Sequence, residues 1–200
     1  LMRLLGLPSE RENKVTAADV LSMAEAGARS GALHRTERQL IENVFEMDSR
    51  TVSTAMTPRD RIAWFRRDDP ESVVRARIAA EPFSTYPVCE GDLDHVVGYV
   101  DAKDLFQRAL NGQSVALSTE LLRKMLVLPD RLSLTEAVEQ FQQAREDFAV
   151  IVNEYATVVG VLTLNDVMST VMGELVSPIN EELIVRRDEH SWLIDGIAPV

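Results

Sequence analysis

A mixed α/β (α+β) fold is predicted, made of two copies of one unit with pseudo-two-fold symmetry behind a helical linker. Two features carry that prediction. The phrase VVGYVDAKDL at 96–105 returns as VVGVLTLNDV at 158–167, and Gly98 and Gly160 stand as far apart as Asp104 and Asp166, so the match keeps register across strand, turn and helix start. Around both phrases, apolar spacing switches between the helical and the strand period in the same order.

The elements follow along the chain. Thr16-Ala17-Ala18-Asp19 forms a capping box with Asp in place of Glu, and Ser30-Gly31 closes the Ala-rich helix it opens. A second helix is capped by Thr36, with Leu40, Ile41, Val44 and Phe45 as its apolar face. The first copy has a short strand-like piece, RIAWF, then a helix from Asp69-Pro70 with Val73, Val74 and Ile78 on one side. Glu81-Pro82 ends that helix, because a residue before proline avoids helical geometry. Strands YPVCE and HVVGYV flank a turn at Glu90-Gly91-Asp92, and a helix from about Lys103 to Leu110 stops at Asn111-Gly112. The second copy repeats this order with KMLVL, a capping box at Ser133 to Glu136, an apolar face of Ala137, Val138 and Phe141, strands FAVIV and VVGVL, and a helix that stops at Gly173. Three short strands cannot bury both faces alone, so the copies are expected to pack sheet against sheet with helices outside.

Composition narrows the function. The 200 residues are 46% hydrophobic, enough for a substantial core, and the net charge of −11 lacks the basic footprint of a nucleic-acid partner. Cys89 lies in an apolar run and reads as an inert buried thiol. His34, His95 and His190 have no partner at metal-ligand spacing, so neither a metal site nor a catalytic residue is expected. The chain opens with LMRLLGL and stops at DGIAPV in mid-pattern, and it reads as a piece of something longer. LMRLLGL fits either the cytoplasmic exit of a membrane segment or a short core or linker helix.

The repeat, the VVGVLTLND ending and the helix order resemble a tandem pair of CBS domains, the cystathionine-β-synthase-type module, over roughly residues 52–173. The flanks narrow the likeness. ERQLIENVFEMDSRTVSTAMTPRDRI resembles the segment joining the membrane domain to the CBS pair in the CorC/HlyC (TlyC hemolysin-like) family, relatives of the CNNM cation transporters, and GEL followed by WLIDG resembles entry into its C-terminal CorC/HlyC domain. The expected layout is a helical linker at 1–51, CBS copies at 52–112 and 113–176, and the start of that last domain at 177–200.

Thr163 stands where a strand ends and Asp166 lies in the first turn of the next helix, whose free N–H groups favour an anion. Asp166 can accept from the two hydroxyls of a ribose, and Thr163 can reach a phosphate. The same pair also serves as a plain cap, the use that spacing alone favours. The resemblance implies the ligand role: an adenine nucleotide, AMP, ADP or ATP, the last with Mg2+, held by Thr163, Asn165 and Asp166. Carried over onto this sequence, it adds Thr57, Arg59 and Ile62 from the MTPR segment, and Phe83, Ser84, Thr85, Tyr86 and Pro87 before the first strand pair. Thr85 stands where relatives commonly carry Arg, so one phosphate contact is missing or comes from Arg59 or Arg61. In the first copy Asp101 replaces Thr163, three residues before Asp104, and a weaker second pocket is expected there. Like charges in it oppose a phosphate, so one nucleotide per chain is expected, with the Asp101 and Asp104 pocket empty or holding a cation or a bare nucleoside. The resemblance further implies a homodimer through the exposed helices, for which the apolar faces around Val73, Val138 and Phe141 are more than one core uses, a membrane domain in the same chain, an inner-membrane protein with this part on the cytoplasmic side, and control of a divalent or organic cation transporter. A dimerisation scaffold that binds no ligand is the alternative.

Overall fold

The computed structural model describes residues 15–173 and the backbone of Ile184–Arg186 and Trp192–Ile194, which pair as a small antiparallel hairpin. LMRLLGL, Glu174 and Leu175 of GEL, and Asp195 and Gly196 of WLIDG lie outside the described residues.

Helix α1 (Ala17–Arg29) begins at the expected box. The Thr16 hydroxyl accepts from Asp19 N, and Asp19 Oδ2 accepts from Thr16 N at 2.8 Å. Helix α2 (Arg35–Glu46) starts earlier than its Thr36 suggests, with His34 as the extended cap residue. Ala32 and Leu33 bond back to Gly27 O, which closes α1 and leaves His34 extended. Glu37 then returns a carboxylate to His34 N at 2.8 Å. The apolar face of α2 is only half covered. Leu40 and Ile41 are partly buried, whereas Val44 is 54% and Phe45 38% exposed. Asn43 Nδ2 donates to Val171 O at 2.8 Å and ties α2 to the last helix of the repeat.

After the short strand β1 (Thr57–Pro58), the first copy runs β2 (Phe65–Arg66), α3 (Glu71–Ala80), β3 (Thr85–Cys89), β4 (Val96–Asp101) and α4 (Ala102–Leu110). The second runs β5 (Leu126–Pro129), α5 (Leu134–Ala144), β6 (Phe148–Val152), β7 (Val158–Thr163) and α6 (Leu164–Met172). Each copy pairs its first strand parallel to its second and its second antiparallel to its third. This is the predicted α/β architecture.

Strand alternation divides the apolar residues among three cores, because successive side chains leave a strand on opposite faces. Tyr86, Val88 and Val100 face α3 and α4 with Phe65, Val74 and Leu105. Ala149, Ile151 and Leu162 face α5 and α6 with Leu134 and Phe141. The other faces meet each other. There Cys89, Leu93 and Tyr99 of the first copy pack on Phe148, Val150, Val158 and Val161 of the second, with the Tyr99 and Phe148 ring centroids 4.7 Å apart. Two details differ from the sequence expectation. Val73 is 37% exposed because the buried stripe of α3 runs through Val74 and Ile78, one turn apart. Phe141 is 1% exposed inside the second core, so it contributes nothing to an intermolecular face.

The repeated glycine has a steric cause. β1, which precedes the first copy, pairs antiparallel with β7 of the second, setting Thr57 against Val161 and Pro58 against Gly160. In return, Arg123 ahead of β5 bridges Tyr99 on β4 of the first copy. A Cβ on Gly160 would stand 2.5 Å from Met56 Sδ and 2.8 Å from Thr57 O, and one on Gly98 would stand 2.8 Å from Arg123 O. Each copy therefore leaves a bare backbone position where the other copy's leading segment crosses. Gly160→Ala should lower unfolding free energy by roughly 1–3 kcal/mol through overpacking, read as a lower urea midpoint at unchanged slope. An unchanged midpoint would show that the crossing yields freely.

Candidate functional site

The crossing opens a cavity of about 450 Å3 between the two copies. From the leading segment it takes Thr57, Arg61, Ile62 and Ala63. The first copy adds Phe83, Ser84, Thr85, Pro87 and Asp101, and the second adds Asp147, Phe148, Val161, Thr163, Asn165 and Asp166.

Thr163 and Asp166 form a complete capping box at α6. Asp166 N donates to Thr163 Oγ1 at 3.1 Å, while Thr163 N and Oγ1 donate to Asp166 Oδ2 at 2.8 and 2.7 Å. Cap and cavity wall are thus the same two side chains. Thr57, Ile62, Phe83, Ser84, Thr85, Pro87 and Asn165 join them, all candidates from the sequence.

Arg59 and Tyr86 do not line this cavity. Arg59 is taken by Asp94, through Nη1 at 2.6 Å and Nη2 at 3.0 Å, and by Val158 O at 2.7 Å. The hydrogen bond from Arg59 holds the Asp94 carboxyl below its ordinary range, helped by the Val158 N–H, and Asp94 raises the guanidinium in turn. Tyr86 points the other way along its strand, into the first core, where its hydroxyl donates to Glu81 O and accepts from Phe83 N at 3.0 Å. It shapes the loop that presents Phe83. Alternation in TYPVC carried that signal already, since Thr85 and Pro87 share one face and Tyr86 the other.

The first-copy counterparts are arranged differently from the expected second pocket. Asp101 caps α4, accepting from Lys103 N at 2.8 Å, and lines the same cavity as Thr163. Asp104 Oδ2 is held by Arg123 Nη2 at 2.7 Å. A second cavity, about 580 Å3, is lined by Tyr99, Arg123, Lys124, Arg145 and Asp147 among others, and neither Asp101 nor Asp104 is on its wall. Arg123 stands between, so the cation that two close carboxylates call for comes from the chain itself.

Cys89 offers no nucleophile, because burial pushes its thiol up to about 12. Among the described residues no His, Cys, Asp and Glu cluster could hold a metal ion, and no helix is long and apolar enough to cross a membrane.

Comparison with known proteins gives the same family from sequence and from structure. The CBS domain family model matches residues 119–173. A CBS domain protein from Shewanella oneidensis has 30% sequence identity and a TM-score of 0.57, covering 62% of this chain and 98% of that one. The chain belongs to the CBS domain family. The CBS domain of the bacterial CNNM/CorC family Mg2+ transporter shares the fold, superposing with a TM-score of 0.70 at 24% identity over 80% of this chain and 98% of that one. The same kind of domain in complex with ATP superposes with a TM-score of 0.61 at 25% identity, over 69% and 98%. Among curated relatives, the polyamine export protein of Escherichia coli is 50% identical over 201 residues, which is 100% of this chain and 45% of that protein. The chain spans about half the length of the curated relatives it matches.

Within the CBS pair, four wall residues escaped the motif reading: Ala63, Asp147, Phe148 and Val161. Matching the strands of the two copies could have found two of them, since Asp147-Phe148 falls where the second copy matches Ser84-Thr85, with Phe148 opposite Thr163 as Thr85 is opposite Asp101. Arg59 is testable as a structural rather than a cavity residue. The Asp94 carboxyl is lowered in the fold, so its pairing adds stability above the unfolded value of about 3.9, and that stability is lost as pH falls through the folded value. Arg59→Gln should cost about 0.5–1 kcal/mol at pH 7, with the difference from wild type fading below about pH 4 in thermal melts. A cost that persists undiminished in acid would assign Arg59 some other role.

Proposed function

We propose that this chain is the regulatory module of a membrane cation exporter, and that it binds one adenine nucleotide in the cavity between its CBS copies. The observation that carries the reading is the convergence of Thr57, Ile62, Phe83, Thr85, Thr163 and Asp166, from three separated segments, on one concavity at a helix N-terminus. Phe83, Ile62 and Pro87 suit the base, Asp166 the ribose hydroxyls and Thr163 with Arg61 the phosphate. Among the described residues, the hydrogen bonds to the Asp166 carboxylate fall on Oδ2, which leaves Oδ1 for the ribose. Arg61 is the one basic residue on a wall that also carries Asp101, Asp147 and Asp166, so a monophosphate, or ATP with Mg2+ shielding its charge, fits best. The complex of a CNNM/CorC CBS domain with ATP supports the ligand class, and the polyamine export proteins support an organic cation as the cargo.

The module acts by binding rather than by catalysis. In the full protein it sits on the cytoplasmic side of the inner membrane, between a membrane domain that residues 1–51 lead back to and a C-terminal CorC/HlyC domain that begins near 177, with CBS copies at 52–112 and 113–176. Phe106, Leu110 and Met168, at 54%, 87% and 47% exposure, supply apolar surface on α4 and α6 for a homodimer. A ligand-free scaffold is the second reading, favoured by the capping box that already satisfies Thr163 and Asp166.

Calorimetry separates the two. One adenine nucleotide per chain is expected, with Asp166→Ala abolishing the heat while circular dichroism shows the fold retained, and Asp104→Ala leaving binding within a few-fold. No heat with AMP, ADP or ATP, with or without Mg2+, would leave the scaffold reading standing. Light scattering should give a dimer at tens of micromolar chain; a monomer there counts against the helix-mediated assembly.

A further inference from the structure

Two carboxylates on the cavity wall, Asp101 and Asp147, oppose any phosphate, yet both are held from one neighbouring piece of backbone. Tyr99 and Arg123 bridge each other, with Tyr99 N donating to Arg123 O at 3.2 Å and Arg123 N to Tyr99 O at 2.8 Å. Both line the second cavity, which shares Asp147 with the first. From that side the Tyr99 hydroxyl donates to Asp147 Oδ1 at 2.9 Å. Arg123 Nη2 lies 2.7 Å from Asp104 Oδ2 and 3.7 Å from Asp101 Oδ2. The repeat sharpens the contrast. Arg61 and Arg123 are separated by the same interval as Gly98 and Gly160, but Arg61 faces the first cavity while Arg123 is engaged by two carboxylates.

We propose that Arg123 is a specificity-determining residue for the nucleotide cavity, setting how much phosphate charge it accepts by neutralising Asp101 from behind the wall. The inference rests on the nucleotide reading above. Without Arg123, Asp101 and Asp104 would present uncompensated negative charge next to the phosphate end. The energy of that potential scales with ligand charge, and ATP carries about twice the charge of AMP, so the loss for ATP is about the square of the loss for AMP. A change of about 10-fold for AMP thus becomes about 100-fold for ATP. A residue that merely kept the fold in shape would weaken both by a similar factor.

The test is calorimetry with AMP and ATP, in chelator and without Mg2+, on the wild-type chain, Arg123→Gln, Asp101→Asn and the double variant. Asn is as good a helix cap as Asp, so Asp101→Asn keeps α4 in place. Arg123→Gln should lose about 10-fold for AMP and about 100-fold for ATP. Asp101→Asn should tighten ATP more than AMP, and the double variant should return to within a few-fold of wild type. Equal losses for both nucleotides, no loss, or a double variant that binds ATP as weakly as Arg123→Gln alone would overturn the proposal. So would an Asp101→Asn variant with an unchanged preference, whatever the fate of Arg123→Gln. Absence of binding by the wild-type chain is the separate result that would overturn the nucleotide reading and this inference with it.

Discussion

The structure depends on one reciprocal crossing. Each copy's leading segment leaves its own unit and lies against a strand of the other, β1 on β7 and Arg123 on β4, over a glycine that has no side chain to hold it off. A three-stranded sheet, β2 to β4, and a four-stranded one, β1 with β5 to β7, are thereby locked face to face over the Tyr99 and Phe148 core. The cavity is a by-product of the same lock. It forms where the leading segment passes between Thr85 on one sheet and Thr163 on the other, so neither copy contains it by itself.

The polar chemistry of that cavity is shared with the chemistry of the fold. Thr163 and Asp166 cap α6 while they line the wall, and a cap of this kind stabilises a helix by about 1 kcal/mol. The same atoms can exchange an internal hydrogen bond for one to a ligand at small net cost, because each bond in water is worth little more than the one it replaces. The first copy has taken a different course at the equivalent place. Asp101 caps with a carboxylate, Asp104 has no box partner in it, and Arg123 balances both. Tyr99 adds to that closure: burial, with Asp147 as its neighbour, raises its hydroxyl to about 12, so it remains a hydrogen-bond donor at neutral pH. Likeness of sequence between the copies therefore ends in unlike sites.

The site also has a mechanical neighbour. Helix α6 starts at the cavity with Asp166 and meets α2 near its other end, where Asn43 donates to Val171 O. Helix α1 folds back on α2 through the turn at Gly31, which needs its positive φ of 78°. The half-exposed Val44 and Phe45 on α2 give that hairpin apolar surface beyond what the CBS pair covers.

The sequence by itself determined the repeat, the order of helices and strands, the capping boxes at Thr16, Ser133 and Thr163, and most of the cavity's residues. These are local or periodic facts: a cap needs a residue and its third neighbour, a strand face needs alternate positions, and a repeat copies both. What only the tertiary structure decided are the partnerships between distant segments. Arg59 and Arg61 are two residues apart and alike in chemistry, yet one meets Asp94 and the other the cavity, because the turn between them points them apart. Asp104 looked like the twin of Asp166, and its fate was set by an arginine on another segment, brought in by the crossing over Gly98. Local spacing records which groups a segment offers; which charge meets which is settled only when two sheets close on each other and bring far parts of the chain within a few ångströms.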